Sequence, residues 1–268
     1  MGEYSNINFK KKFGQNFLSD TNLLISIVND AGITAEDTVV EIGAGAGALT
    51  TQLVKVAKKV IAFEIDNELQ SLLKDKFKDD NNIEFIFEDF MNYNLSMLED
   101  KISGNFKVVA NLPYYITTPI ITKLFEMNKR PQTIVVMVQK EVGERMIATE
   151  KKGDYGYFSV FVKANADAKI TRQVNRKMFT PVPNVDSCVV RLDLKNNNLD
   201  SKFFDFLKAC FSMKRKTLAN NLNTALQVPK LDTENVLERI GLSRSQRADS
   251  LGLEKLQKVY NELFDEIV

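Results

Sequence analysis

Asn111-Leu112-Pro113-Tyr114 is the stretch whose residue types can do chemistry, and it follows the apolar run Phe106 to Ala110, where a buried strand would end. An aryl amine such as adenine N6 is a poor nucleophile because its lone pair is delocalised into the ring. The side-chain oxygen of Asn111 and the backbone carbonyl of Leu112 can accept its two N–H hydrogens together. That moves electron density onto nitrogen and stabilises the positive charge that develops as it attacks. Pro113 fixes its own φ and drives Leu112 out of the helical region, so the backbone aims the carbonyl. Tyr114 offers a ring face on which a base can stack. A plain strand-to-loop turn would use the same Asn and Pro, so the neighbouring motifs must decide.

Thr38 to Ile42 has the pattern of a buried strand and runs into Gly43-Ala44-Gly45-Ala46-Gly47, followed by a helical stretch from Ala48 to Lys58. Strand, glycine turn and helix make a cofactor-binding unit, because glycines let the backbone approach a ligand closely. The string also fits GxGxxA, so a nicotinamide or flavin site stays open. A second strand, Lys59 to Phe63, ends in Glu64, whose carboxylate can hold two ribose hydroxyls. A third, Ile83 to Phe87, ends in Glu88-Asp89, where a carboxylate can accept a hydrogen bond from an adenine amino group. The fourth ends at Asn111. Four successive strands thus deliver polar residues to their C-terminal ends, the crevice where open α/β sheets bind ligands.

The elements around these residues follow from periodicity. Ser19-Asp20 caps a helix over Leu23 to Asn29 that Gly32 ends. Pro119 opens a helix through Phe125, Thr133 to Val138 is a fifth strand, and Gln139 to Thr149 is helical. Tyr155 to Ala164 fits helix or strand and is read as helix. Ala168 to Val174 and Ser187 to Leu194 are the last two strands, one of them antiparallel to the rest. Between them Phe179 sits in an extended, Pro-bounded loop, where its ring can stack on an adenine opposite Tyr114. Lys195 to Leu199 is a composition break. It divides a domain over 1–195 from a small helical one over 196–268, where apolar residues recur at helical spacing.

Composition narrows the chemistry. The chain has no histidine, which excludes histidine triads, imidazole bases and histidine metal sites. Cys188 and Cys210 show no CxxC spacing, which argues against a disulfide framework or a zinc site and for a reducing compartment. The expectation is a cytoplasmic monomer without metal: the start of the chain has no signal-peptide core, and no run approaches a membrane span. With a formal net charge of +1, nucleic-acid binding must come from local patches. Two are candidates. Lys10, Lys11 and Lys12 are interleaved with aromatics, and Lys214, Arg215 and Lys216 stand at a helix start. For either, a solvated charge run is the competing reading.

Glu41, Gly43, Gly45, Gly47, Glu64, Asp89 and Asn111-Leu112-Pro113-Tyr114 together resemble the S-adenosylmethionine-dependent methyltransferases. Gly14-Gln15-Asn16-Phe17-Leu18, Phe179-Thr180-Pro181-Val182-Pro183 with Val185-Asp186-Ser187, and Phe211 to Leu218 narrow this. With the Asn-Leu-Pro-Tyr segment they resemble the small-subunit ribosomal RNA adenine dimethyltransferases, over nearly the whole chain. The resemblance implies an α/β, Rossmann-like class I methyltransferase fold: a seven-stranded, mostly parallel sheet with its last strand antiparallel, and a small all-α C-terminal domain. It implies N6,N6-dimethylation of two adjacent adenosines in the 3′-terminal hairpin loop of 16S rRNA within the small ribosomal subunit. Asn16, Leu18, Gly43, Gly45, Glu64, Asp89 and Asn111 would contact the cofactor. Asn111 to Tyr114 and Phe179 would serve the target adenine. The two basic patches would contact RNA. Three alternatives remain at this point: a ribosome-assembly binding factor with secondary methylation, a large-subunit rRNA methyltransferase of the macrolide-resistance type, and a DNA adenine methyltransferase.

Overall fold

The computed structural model describes residues 17, 18, 20–196, 199 and 201–264. In chain order its elements are β1 (Phe17–Leu18), α1 (Thr21–Ala31), β2 (Thr38–Ile42), α2 (Ala48–Leu53), β3 (Lys59–Phe63), α3 (Gln70–Lys76), β4 (Ile83–Ile86), α4 (Leu95–Lys101), β5 (Phe106–Asn111), α5 (Thr117–Phe125), β6 (Thr133–Gln139), α6 (Lys140–Met146), α7 (Tyr157–Asn165), β7 (Ala166–Val174), β8 (Phe179–Thr180), β9 (Ser187–Leu194), α8 (Ser201–Cys210), α9 (Leu218–Leu226), α10 (Lys230–Arg239) and α11 (Leu253–Phe264). Helix α1 has the expected caps and extends two residues beyond the expected Leu23 to Asn29 at each end. Asp20 accepts a hydrogen bond from the Leu23 N–H at 2.8 Å, and Gly32 closes the helix in the left-handed region.

Among the described residues, β4-β3-β2-β5-β6-β9-β7 form one seven-stranded sheet. Strands β2 to β6 pair in parallel, and β9 runs antiparallel to β6 with Thr133 opposite Asp193 and Gln139 opposite Ser187. This is the doubly wound, Rossmann-like arrangement of the class I methyltransferases. Val39, Val60, Ala62, Val109, Val135 and Met137 share a core with Leu24, Ile27 and Val28 of α1, Leu49 and Leu53 of α2, and Leu73 of α3. The alternate residues Val40, Ile61, Val108, Ile134 and Val136 are fully buried as well. Burial on both faces is why these strands read as unbroken apolar runs.

The chain departs from the sequence reading in several places. Helix α2 stops at Leu53 and does not reach Lys58, because the Lys58 and Lys59 amides turn to the Asp37 carbonyl and start β3. Gln139 belongs to β6, paired with Ser187, so the next helix starts one residue later. Phe179 lies in the short strand β8, not in an open loop: Leu18 pairs with Phe179 and Phe17 with Thr180.

The chain divides into two compact units, Met1–Gly143 with Lys169–Leu194 and Glu144–Ala168 with Lys195–Val268. The helical unit takes up the chain again at Lys195. The segment Glu144–Ala168, expected in the larger domain, instead belongs to the helical unit. The reason is its aromatic face: Tyr157 stacks on Phe161 at 5.6 Å, and Phe161 meets Phe204 of α8 edge-on at 5.3 Å. Phe203, Phe206, Leu222, Leu237, Leu256 and Val259 fill the rest of that second core.

Candidate active site

The order of the sheet decides where the site lies. From β2 the chain steps outward to β3 and β4, then returns to β5 on the other side of β2. The switch point is therefore the gap between the C-terminal ends of β2 and β5, where a crevice must open. Gly43 leaves β2 there and Asn111 ends β5. They approach each other closely, since a Cβ built on Gly43 would lie 3.7 Å from the Asn111 carbonyl oxygen. That distance leaves room, so it is the φ of +82° that calls for glycine at 43. At Gly47 space counts too, because a Cβ there would come within 2.6 Å of the Phe77 ring.

Glu64 ties the glycine turn to β3. One carboxylate oxygen accepts the Gly45 N–H at 2.7 Å and the other the Asp66 N–H at 2.8 Å. Burial raises its pKa while those two N–H bonds oppose the rise. Each oxygen keeps a second lone pair, enough for two hydroxyl donors. Beneath it Glu41 is 1% exposed and accepts the Thr50 hydroxyl at 2.6 Å. Burial first, and the Glu64 charge next among the raising causes, push its pKa up to about 8, so Glu41 stands as a neutral acid at pH 7. Asp89 follows β4 in a turn of its own making. Its carboxylate accepts the Met91 N–H and the Asn92 side-chain amide, both at 2.9 Å.

Pro113 holds φ at −58°, and the Leu112 N–H is fixed to the Met137 carbonyl at 3.2 Å. Leu112 as a whole is 1% exposed and belongs to the core. Tyr114 is half-buried and its hydroxyl lies 2.7 Å from that of Ser187. Burial raises its pKa against the opposing effect of that bond, so the phenol stays protonated. Sequence reasoning missed Ser187, which is 73 positions away; only the pairing of β9 with β6 brings it to Tyr114.

Two expectations change. The Phe179 ring is 2% exposed and packed in the core with Leu18, Val174 and Val189, so its faces are covered and it presents no stacking surface. An aromatic beside prolines reads as an open loop, but burying its large apolar area is the stronger effect. Leu18 is 3% exposed in the same core, backbone included, and pairs with Phe179, so it offers a ligand almost no surface. Asn16, Lys10, Lys11 and Lys12 lie outside the described residues. Lys214, Arg215 and Lys216 are exposed in the turn before α9. Lys214 and Lys216 line a cavity of about 330 Å³ with Arg145, Tyr155 and Phe211. Lys151, Lys152 and Arg247 line a groove beside it, basic residues that the sequence did not single out.

Residues 6–264 match the family described as ribosomal RNA adenine dimethylase. Among curated relatives, the ribosomal RNA small subunit methyltransferase A of Bacillus licheniformis is 42% identical over 267 residues, covering 96% of this chain and 91% of the relative. That of Clostridioides difficile is 39% identical over 263 residues with the same coverage. A dimethyladenosine transferase from Plasmodium falciparum superimposes with a TM-score of 0.80 at 31% identity, over 93% of this chain and 98% of that one. The 23S rRNA methyltransferase ErmE gives 0.71 at 25%, over 92% and 99%. With a switch-point crevice, a glycine turn held by a carboxylate and an Asn-Leu-Pro-Tyr rim, the chain belongs to the ribosomal RNA adenine dimethylase family.

Proposed function

We propose that this enzyme transfers methyl groups from S-adenosylmethionine to N6 of two adjacent adenosines in the 3′-terminal hairpin loop of 16S rRNA, within the small ribosomal subunit and as part of its biogenesis. The observation that carries the reading is the placement of Asn111 against the Gly43 turn at the switch point, with Glu64 fastened to the same turn. Curated relatives carrying small-subunit names match over almost the full chain, which favours the small subunit over the large one. The thiols Cys188 and Cys210 are free and buried, in keeping with a reducing, cytoplasmic setting. No described helix is long and apolar enough to cross a membrane. The enzyme is taken to act as a monomer.

The residues fit the family's cofactor. Gly43 and Gly45 leave the turn without side chains, Glu64 has lone pairs for the ribose hydroxyls, and Asp89 has them for the adenine amino group. When bound, S-adenosylmethionine supplies a methyl group already activated on sulfonium. The chain's own work is alignment and charge stabilisation. Asn111 and the Leu112 carbonyl accept the two N6 hydrogens, and Tyr114 stacks on the base. No general base is needed before attack, because the methylated nitrogen is strongly acidic and loses its proton afterwards. Lys214, Arg215 and Lys216 meet phosphates.

Methyl transfer from labelled S-adenosylmethionine to unmethylated small subunits, large subunits, free rRNA and DNA tests the reading. Label entering small-subunit rRNA as N6,N6-dimethyladenosine is the expected result. Preferential labelling of large subunits or DNA would replace the proposed substrate, and RNA binding without transfer would favour an assembly factor.

A further inference from the structure

Lys123 of α5 points its ammonium at three backbone carbonyls, those of Phe90 at 2.9 Å, Met91 at 2.7 Å and Tyr93 at 2.8 Å. A lysine ammonium has three hydrogens, and all three are taken. The group also lies 5.4 Å from the centre of the Phe90 ring. Desolvation lowers its pKa, with Asp89 opposing, so holding a charge here has a cost. What the charge holds is the turn after β4. The Asp89 carboxylate is oriented by that same turn through the Met91 amide and the Asn92 side chain. The Phe90 and Tyr93 rings pack edge-on to Phe63, the residue before Glu64, at 5.2 and 5.0 Å. At the other end of α5, the Thr117 hydroxyl donates to the Pro113 carbonyl at 3.2 Å. One helix is therefore fastened at its first turn to the Asn-Leu-Pro-Tyr rim and, about a turn and a half later, to the Asp89 turn.

We propose that Lys123 is a positioning residue of the cofactor site. It orients Asp89 through the 90–93 backbone and ties that turn to the helix that carries the target rim. The proposal rests on the reading of Asp89 as a cofactor contact. It touches neither cofactor nor target itself, and its influence is on cofactor affinity, not on RNA binding.

Calorimetry with S-adenosylmethionine on wild type, Asp89→Ala, Lys123→Met and the double variant tests this, with small-subunit binding measured in parallel. Lys123→Met is expected to weaken the cofactor about tenfold or more, the scale of a charge-assisted hydrogen-bond set, and to leave small-subunit affinity unchanged. The double variant should bind no more weakly than Asp89→Ala alone. Amide hydrogen exchange at Met91 and Tyr93 should speed up in Lys123→Met, and a merely global loss of stability would instead speed exchange throughout the sheet. Should Lys123→Met fold poorly, Lys123→Cys before and after alkylation with 2-bromoethylamine compares one chain without and with an ammonium at nearly the original place, and alkylation should restore affinity. Wild-type affinity in Lys123→Met, additive losses in the double variant, or no restoration on alkylation overturns the proposal. Unchanged affinity in Asp89→Ala overturns the underlying reading of Asp89 instead.

Discussion

The Tyr114 hydroxyl is tethered to the Ser187 hydroxyl at 2.7 Å, so the one polar atom of the proposed stacking residue is already committed to the protein. The ring face is what remains for a base, and the tether limits how far the ring can swing. Tyr114→Phe and Ser187→Ala should each slow methyl transfer about two- to tenfold, the worth of one neutral hydrogen bond. The double variant should be no slower than the worse single one. Tyr114→Ala should lose at least another tenfold through lost stacking. Single-turnover rates on small subunits decide this, and a Tyr114→Phe variant as slow as Tyr114→Ala would assign the phenol, not the ring, as the working group.

Glu64, the proposed ribose contact, fastens the Gly45 and Asp66 amides. Its replacement by Ala should weaken S-adenosylmethionine about tenfold to a hundredfold, from loss of roughly 1.5–3 kcal/mol of charge-assisted hydrogen bonding. Glu64→Gln should rescue little, because one of its two ends becomes an NH2 group facing a backbone N–H. Calorimetric titration checks both variants, and wild-type affinity in either would remove Glu64 from the site.

Glu41 gives a pH signature. Burial lifts its pKa from the ordinary 4.5 to about 8 in the fold, so the folded chain holds the proton more tightly. The stability it contributes is complete below about pH 4.5 and is lost as pH rises through about 8, at up to roughly 1.4 kcal/mol per pH unit. Glu41→Gln keeps an acceptor for Thr50 and cannot ionise. Urea unfolding at several pH values should show the stability of Glu41→Gln rising relative to wild type between pH 5 and 8 and levelling off above. A constant difference would mean that Glu41 titrates normally.

Lys214, Arg215 and Lys216 are exposed and precede α9. Exchanging all three for Ala should weaken small-subunit binding and reduce the slope of log affinity against log salt by about two to three. Cofactor affinity should not change. An unaltered slope, read from binding at several salt concentrations, would make them a solvated face.

Chain order alone placed Gly43, Glu64, Asp89 and Asn111 at strand ends, because a parallel sheet buried on both faces leaves apolar runs that stop at the crevice. Partnerships made across the sheet were not legible. Ser187 reaches Tyr114 only through the antiparallel register of β9, and Phe179 is buried because it pairs with Leu18, about 160 positions earlier. Lys123 looks like any exposed lysine of an amphipathic helix until the turn after β4 is folded against it. The Glu144–Ala168 segment went to the helical unit through aromatic partners in α8 that no local pattern announces.

The central claim is that Asn111 activates adenine N6 for transfer. Single-turnover methylation of purified, unmethylated small subunits by wild type and Asn111→Ala, with the rRNA digested and its adenosines weighed by mass spectrometry, tests it most directly. The account predicts N6,N6-dimethyladenosine from wild type and a rate constant about a hundredfold or more lower in Asn111→Ala, the loss typical of one preorganised hydrogen-bond partner, at nearly unchanged subunit affinity. An Asn111→Ala enzyme that dimethylates at the wild-type rate would contradict it.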